Sequence, residues 1–192
     1  MANILYVLEN LHSTNPRAQS ACQLIELESN SQHMVTVVTA FDTSTEYQFK
    51  NPYIRVYRPF RNWTAWEVLR NLPFLIQLRP EVVHIFQPFN SSSKTLQIFL
   101  WLSHAFKGLN RSVLYFSFFD SIFLNWTNKK CMRHFNHFDL IFCRNLHDQR
   151  LLTKKVLNHK HKVVHLPELS PSSPPTRSHW INKETSYKIS IP

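Results

Sequence analysis

The sequence predicts an α/β fold, a doubly wound and mainly parallel sheet with helices on both faces. First, short apolar runs alternate with helix-length segments over residues 1–166. Second, several of the runs are continuously apolar, which is typical of strands buried on both faces of a parallel sheet. Third, strands that alternate with helices favour parallel pairing and right-handed crossovers. Ligands of such sheets lie beyond the carboxyl ends of the strands, so residues directly after each strand are the functional candidates.

The apolar runs set the order of the elements. Strands are predicted over residues 3–8, 33–40, 53–57, 82–88, 112–119, 139–143 and 162–166. Helices are predicted over residues 16–29, parts of 58–79, 91–107, 127–136 and 145–157. Asn15 and Pro16 provide the first helix with an N-cap and a first residue. Pro73 is expected to break or kink its helix, and Gly108 is expected to act as the C-cap of the next one.

Glycine is almost absent, since Gly108 is the one glycine in 192 residues. Glycine lets a backbone approach a phosphate closely and adopt a positive φ. A GxGxxG dinucleotide fingerprint and a Walker A loop are therefore excluded by inspection. Whatever this domain binds is not held by a glycine-rich turn, and we predict no cofactor.

The chain is strongly basic, with a net charge of +10 and a pI near 9.8. Solubility alone, an anionic membrane surface and nucleic acid are three explanations of such a charge. The basic residues are dispersed, and no arginine-rich arm is present. We therefore expect no nucleic-acid partner.

Cysteine usage and the N-terminus predict a cytoplasmic protein. Cys22, Cys131 and Cys143 form no CxxC motif and show no zinc-ligand spacing, which indicates reduced thiols and no metal site. The first 13 residues lack a basic region and carry Glu9 in the apolar run, unlike a signal peptide. No stretch is apolar over the roughly 18 residues that a membrane-spanning helix needs.

The composition changes after residue 166. Residues 1–166 are expected to form one domain, and residues 167–177 (PELSPSSPPTR) a Pro/Ser-rich linker. Residues 178–192 are expected to form a tail that could begin a second domain, because they end in the alternating KISIP.

Five stretches carry a resemblance to a known family. They are MANILYVLEN, HMVTVVTAFD, RPEVVHIFQPF, FDLIFCRNLHDQRLL and HKVVHLPELS, which together cover residues 1–170 in order. They resemble the subfamily 4-like N-terminal domain of GT-B glycosyltransferases. The resemblance implies a Rossmann-like domain that forms one half of a GT-B fold. The sequence departs from the family pattern at three places. NLHSTNPRAQ replaces the family's glycine-rich loop, Phe119-Asp120 replaces its His-Asp, and Glu168-Leu169 replaces its Asn-Gly.

The resemblance implies a division of labour between two domains. In that family the N-terminal domain meets the acceptor, and the C-terminal domain binds the nucleotide-sugar with a Glu-x7-Glu element. We therefore expect the acceptor-binding half of a hexosyl-type glycosyltransferase, with a glycan or lipid-linked acceptor and a separate donor-binding domain, inactive alone. The alternatives are a non-catalytic binding module with this fold, or an unrelated Rossmann-like enzyme that uses Asp120.

Candidate site residues follow four of the predicted strands. The acceptor-binding candidates are His12, Ser13, Thr14, Asn15, Gln87, Phe89, Asn90, Arg144 and Asn145. Asp120 is the catalytic candidate, as a base toward an acceptor hydroxyl. Each also has a simpler interpretation, as a capped turn, a loop closed by proline or an exposed residue beside a cap. His84 lies inside a strand and is expected to be a hydrogen-bonded core residue.

Residues 58–79 are the candidate membrane-binding segment. Their arginines and aromatic residues suggest an amphipathic helix at a lipid interface, on the inner face of the membrane. The candidate contacts are Arg61, Trp63, Trp66 and Arg70. The alternative is a core helix whose arginines extend to water.

Overall fold

We describe the fold from a computed structural model, which describes residues 2–29, 33–41, 46–89, 93–118, 134–155 and 163–165. Seven strands form one sheet in the order β3-β2-β1-β4-β5-β6-β7. Every neighbouring pair of these strands is parallel. The predicted α/β fold is therefore confirmed.

The bounds of the elements follow the apolar runs closely. The strands are β1 Asn3–Val7, β2 Met34–Ala40, β3 Arg55–Phe60, β4 Val82–Phe86, β5 Val113–Phe118, β6 Leu140–Cys143 and β7 Val163–His165. The helices are α1 Pro16–Ser29, α2 Ala65–Gln77, α3 Ser93–Asn110 and α4 Leu146–Lys155. A 3₁₀ turn over Phe135–His137 precedes β6.

Helices cover both faces of the sheet, as predicted. Successive residues of a strand point to opposite faces, and β1 shows this clearly. Leu5 and Val7 join a buried cluster with residues of α2, α3 and α4. Ile4 and Tyr6 join a second cluster with residues of α1. The two clusters hold the sheet between its helical layers.

The strand order places β1 beside β4. The chain builds outward from β1 through β2 to the edge strand β3, and α2 then returns it to the other side of β1. The strand order therefore reverses between β1 and β4, at the point where doubly wound sheets form a ligand crevice. The loops that follow β1 and β4 therefore lie side by side at the carboxyl ends of these two strands, which we call the carboxyl edge of the sheet.

Three elements differ from the prediction. β3 runs from Arg55 through Pro59, which an edge strand tolerates. α2 continues through Pro73, so the helix is not broken there, and the other predicted outcome, a kink, stays a prediction. α3 continues past Gly108, and the left-handed residue after the helix is Arg111, with φ 56°. The predicted C-cap role of Gly108 was therefore wrong.

The predicted linker and tail, and most of the predicted helix over residues 127–136, lie outside the described residues.

Gly108→Ala is expected to raise the free energy of unfolding by about 0.5–1 kcal/mol, because alanine loses less backbone entropy in a helix. The φ of Gly108 is not positive, and an added Cβ meets nothing within 4 Å. Urea denaturation measures the change. Ala105→Gly, in the same helix, is the reciprocal control and should lower stability. A destabilising Gly108→Ala would contradict a helical role for this residue.

His84 is buried in the centre of the sheet, as predicted, with 2% of its surface exposed. Its Nε2 lies 2.7 Å from Oγ of Ser117 on β5. Its ring lies between strand neighbours, with Tyr6 on β1 at 5.4 Å and Tyr115 on β5 at 6.0 Å between centroids. Burial lowers the pKa of His84 from 6.5 to about 3.

The buried imidazole predicts an acid-labile fold. Between pH 6.5 and about 3 the unfolded chain binds a proton at His84 that the folded chain does not. Stability should therefore fall as the pH falls through this window, by up to about 1.4 kcal/mol per pH unit from this residue. His84→Gln should flatten that slope in urea titrations at several pH values. His147→Gln, at an exposed position, controls for the loss of one imidazole, and an unchanged slope in His84→Gln would contradict the assignment.

Candidate functional site

Glu9 connects three loops at the carboxyl edge of the sheet. It lies two residues past the end of β1 and is 9% exposed. Its carboxylate Oε2 accepts a hydrogen bond of 2.5 Å from the backbone N–H of Phe89, after β4. Its carbonyl oxygen accepts a 2.8 Å hydrogen bond from the indole Nε1 of Trp63, after β3. One residue thus fixes the loop after β1 relative to the loops after β3 and β4.

The first turn of α1 joins the same arrangement. Nη1 of Arg17 donates a hydrogen bond to the carbonyl oxygen of Phe89 at 3.1 Å. The backbone amide and the carbonyl oxygen of Phe89 are therefore both hydrogen-bonded to charged side chains, the amide to Glu9 in the loop after β1 and the carbonyl oxygen to Arg17 in α1. Bonds to charged groups are stronger than neutral ones, so the loop after β4 is well fixed relative to the loop after β1 and to α1.

His12 and Thr14 form a small polar unit in the loop after β1. Nδ1 of His12 lies 2.9 Å from the Thr14 hydroxyl and 3.4 Å from the Thr14 amide nitrogen. Because an amide can only donate, Nδ1 acts as the acceptor and the neutral ring carries its proton on Nε2. Thr14 is exposed. This unit can present one N–H and one hydroxyl to a ligand.

The other polar groups described in that loop mainly form hydrogen bonds that cap α1 or connect the loop to its neighbours. Oδ1 of Asn15 accepts from the amides of Arg17 at 2.9 Å and Ala18 at 3.4 Å, the predicted N-cap. The carbonyl oxygen of Ser13 accepts a bond from the side chain of Gln19. The backbone of Leu11 accepts from Tyr47 at 2.7 Å, which ties the loop to the segment after β2.

The predicted residues after β4 are largely interior. Gln87 and Phe89 are 1% and 5% exposed. The Phe89 ring belongs to the apolar cluster with α1, so its described contacts at the edge are those of its backbone. Asn90 lies outside the described residues, and so does Asp120, the predicted base.

Arg144 and Asn145 follow β6 at the same edge. Arg144 is partly exposed, and its carbonyl oxygen lies 3.0 Å from Nε2 of His165. Oδ1 of Asn145 accepts from the amide of Asp148 at 2.8 Å and caps α4, which is the simpler of its two predicted roles. Arg144 thus supplies a cation beside a helix N-terminus, a combination that suits an anionic ligand.

Three of the four predicted membrane contacts are exposed, and the fourth packs against the core. Trp66, Arg61 and Arg70 are exposed. Trp63 is packed against the core, with its ring centroid 4.5 Å from that of Phe60 and 4.6 Å from that of Phe99. Sequence reasoning missed the roles of Trp63 and Glu9 at the edge. The available signal was an acidic residue directly after a buried strand.

Metal and membrane-spanning features were searched for over the described residues. No group of three or more histidine, cysteine or acidic side chains in those ranges could hold a metal ion. Of the helices that the structure describes, none combines the length and apolar character that crossing a bilayer requires.

Comparisons with solved structures show the fold. Anabaena HepE in complex with UDP and glucose superposes on 86% of this chain with a TM-score of 0.55 and 12% identity. An alpha-glucosyltransferase in complex with UDP and a 13-mer DNA containing an HMU base matches 86% of the chain, with a TM-score of 0.50 and 14% identity. The chain covers 44% and 42% of these two proteins. No protein-family model matches, and no curated protein is similar in sequence. The chain therefore has a glycosyltransferase-like α/β fold and spans less than half the length of these structures.

The same comparison corrects one expectation. The dispersed basic residues predicted no nucleic-acid partner, and that exclusion was wrong. A neighbour with the same fold was solved in complex with DNA. A dispersed positive charge is therefore no ground for excluding a nucleic-acid partner from a chain of this fold.

Glu9→Ala is expected to lower the free energy of unfolding by about 2–3 kcal/mol, because it leaves the Phe89 amide without its carboxylate acceptor. Amide hydrogen exchange should accelerate most in the loops after β1 and β4. Glu81→Ala, at an exposed position on the opposite edge, is the matched control and should change stability by less than about 0.5 kcal/mol. Equal effects of the two substitutions would show that Glu9 does not fix the edge.

Proposed function

We propose that these residues form the acceptor-binding lobe of a glycosyltransferase that transfers a sugar from a nucleotide-sugar to an acceptor hydroxyl. The observation that carries the proposal is the likeness of 86% of the chain to 44% of HepE, a protein solved with UDP and glucose. A lobe of this size accounts for one side of a two-sided active site. The donor is bound mainly by a second lobe, and the present residues alone do not transfer sugar.

The polar edge of the sheet supports the acceptor role. In the reaction, the acceptor oxygen forms a bond to the anomeric carbon, the bond from that carbon to the nucleotide phosphate breaks, and the hydroxyl proton leaves. The Nε2–H of His12 and the hydroxyl of Thr14 are suited to hold acceptor hydroxyls. Arg144 is suited to an anionic group of the acceptor or donor. Asp120, two residues beyond the end of β5 in sequence, is the proposed base.

Three classes of acceptor are consistent with these features. A glycan and a lipid-linked sugar follow from the resemblance to subfamily 4-like enzymes. DNA joins them because a neighbour of this fold was solved with a 13-mer DNA. The net charge of +10 favours an anionic acceptor in any of the three classes.

A non-catalytic binding module is the second candidate. The observation that favours it is the loop after β1, where NLHSTNPRAQ contains no glycine. Such a loop limits how closely a backbone approaches a phosphate. A longer polypeptide that contains these residues, binds an acceptor and transfers no sugar would support this alternative.

Ligand-observed NMR separates these functions. The 192-residue chain should bind an acceptor from a panel of oligosaccharides, a soluble lipid-linked sugar analogue and a short DNA duplex, and should bind UDP-glucose only weakly, with a Kd above about 1 mM. His12→Ala combined with Thr14→Ala should weaken acceptor binding about tenfold, through two lost hydrogen bonds.

His137→Ala is the control, because this exposed histidine precedes β6 at the opposite edge. Tight binding of UDP-glucose by the chain alone would contradict the division between lobes. Acceptor binding that is insensitive to His12 and Thr14 would exclude the loop after β1 as the acceptor site.

A further inference from the structure

We propose that the outer surface of α2 and α3 docks on an anionic lipid bilayer. This α2–α3 surface consists of side chains that project from the two neighbouring helices: Ala65, Trp66, Leu69, Arg70, Lys94, Ile98 and Trp101. The proposal concerns the location of the protein and does not depend on sugar transfer.

Large apolar side chains are exposed on this surface. Trp66 is 74% exposed, Leu69 50% and Trp101 43%. Leu69 and Trp101, together with Ala65, Gln97 and Ile98, line a groove of about 430 Å³ between the helices. Isolated exposed apolar residues are ordinary, but a groove lined by Leu69 and Trp101, with exposed Trp66 one turn before Leu69 on α2, indicates an interaction surface.

α2 is apolar on two sides. Val68 and Leu75 face the core and are fully buried. Trp66, Leu69 and Pro73 lie on the exposed side of the same helix. A helix whose outer side only met water would carry polar residues there. The outer side of α2 therefore has the composition of an interface.

The charges on and beside α2 and α3 identify the partner. Residues 61–79 and 93–110 contain five basic residues, Arg61, Arg70, Arg79, Lys94 and Lys107, and one acidic residue, Glu67. Nζ of Lys107 lies 2.6 Å from a carboxylate oxygen of Asp139, so the charge of Lys107 is paired within the protein. Arg61, Arg70 and Lys94 are exposed on the two helices or directly before them. The carboxylate of Glu67 accepts hydrogen bonds from the amides of Arg61 at 2.6 Å and Asn62 at 3.1 Å, so this charge is engaged at the start of α2. Tryptophan with arginine and lysine is the composition of a helix in an anionic headgroup layer.

A second copy of the chain fits this surface less well. Two copies would each bring a net charge of +10 to the contact, and like charges repel. An anionic bilayer reverses the sign of that interaction. Trp63 is not part of the surface, because its ring packs on Phe60 and Phe99 inside the protein.

Vesicle co-sedimentation of the full chain tests the proposal. The chain should bind vesicles of equal phosphatidylcholine and phosphatidylglycerol, should bind pure phosphatidylcholine at least tenfold more weakly, and should dissociate at high salt. Trp66→Ala with Trp101→Ala, and separately Arg70→Glu, should each weaken binding about tenfold or more. The matched controls are Tyr53→Ala, at a position 81% exposed, and Arg150→Glu, at an exposed position of α4.

Brominated lipids locate the contact independently of affinity. They should quench the tryptophan fluorescence of the bound chain, and Trp66→Phe with Trp101→Phe should remove most of the quenching while binding persists. Retained quenching in that variant would place the contact elsewhere and overturn the proposal. So would equal losses of binding in the surface variants and their controls, an absence of binding to anionic vesicles, or self-association in ultracentrifugation that the surface variants abolish.

Discussion

The hydrogen bonds of Glu9 are the interaction on which the geometry of the carboxyl edge depends. Parallel pairing places the ends of β1 and β4 side by side, but a sheet alone does not fix the loops that follow its strands. Glu9 does so with two of its own groups, its carboxylate toward Phe89 and its carbonyl toward Trp63. The residue is 9% exposed, so these bonds form where competing water is largely excluded and are correspondingly strong. In a domain with one glycine, order at this edge comes from buried polar bonds and not from a tight glycine turn.

Most of the fold could be predicted from the sequence because burial leaves a simple pattern. Runs such as residues 4–8 are apolar throughout, and this pattern distinguishes a strand buried on both faces of a parallel sheet from a strand with one face exposed to solvent. The ends of the helices were less predictable. Gly108 suggested a C-cap because glycine accepts a left-handed backbone, yet that conformation falls on Arg111, three residues later. Asn110, the last residue of α3, donates a side-chain hydrogen bond to the Ile76 carbonyl oxygen of α2 at 3.2 Å, a contact that local preference does not encode.

The sequence predicted which residues follow the strands at the carboxyl edge, but only partly what their side chains contact there, and their role in binding stays a prediction. Asn15 and Asn145 proved to be caps, a role that their place before a helix already suggested. The roles of Phe89 and Trp63 depend on contacts with residues distant in sequence, so a single sequence does not separate an open aromatic ring from a buried one. Besides the acidic residue after the first strand, a second local signal was available for Trp63: Thr64-x-x-Glu67 begins α2, with the Glu67 amide 3.3 Å from the Thr64 hydroxyl. It places Trp63 before the helix and Trp66 in its first turn, which is why the two face different surroundings.

The two surfaces of the molecule are connected through α2 and α3. In a parallel sheet each helix begins at the carboxyl edge, so α2 starts after β3 and α3 after β4, next to the loops that Glu9 holds. Trp66 lies in the first turn of α2 and Lys94 in the first turn of α3, so the α2–α3 surface begins at the edge itself. A bilayer in contact with that surface would bring its headgroup layer beside the polar edge of the sheet. A lipid-linked acceptor could then reach the edge without leaving the membrane, whereas a free glycan or DNA would gain nothing from such docking. The position of the aromatic surface therefore favours a lipid-linked acceptor among the three proposed classes, on grounds independent of the residues that would bind its sugar.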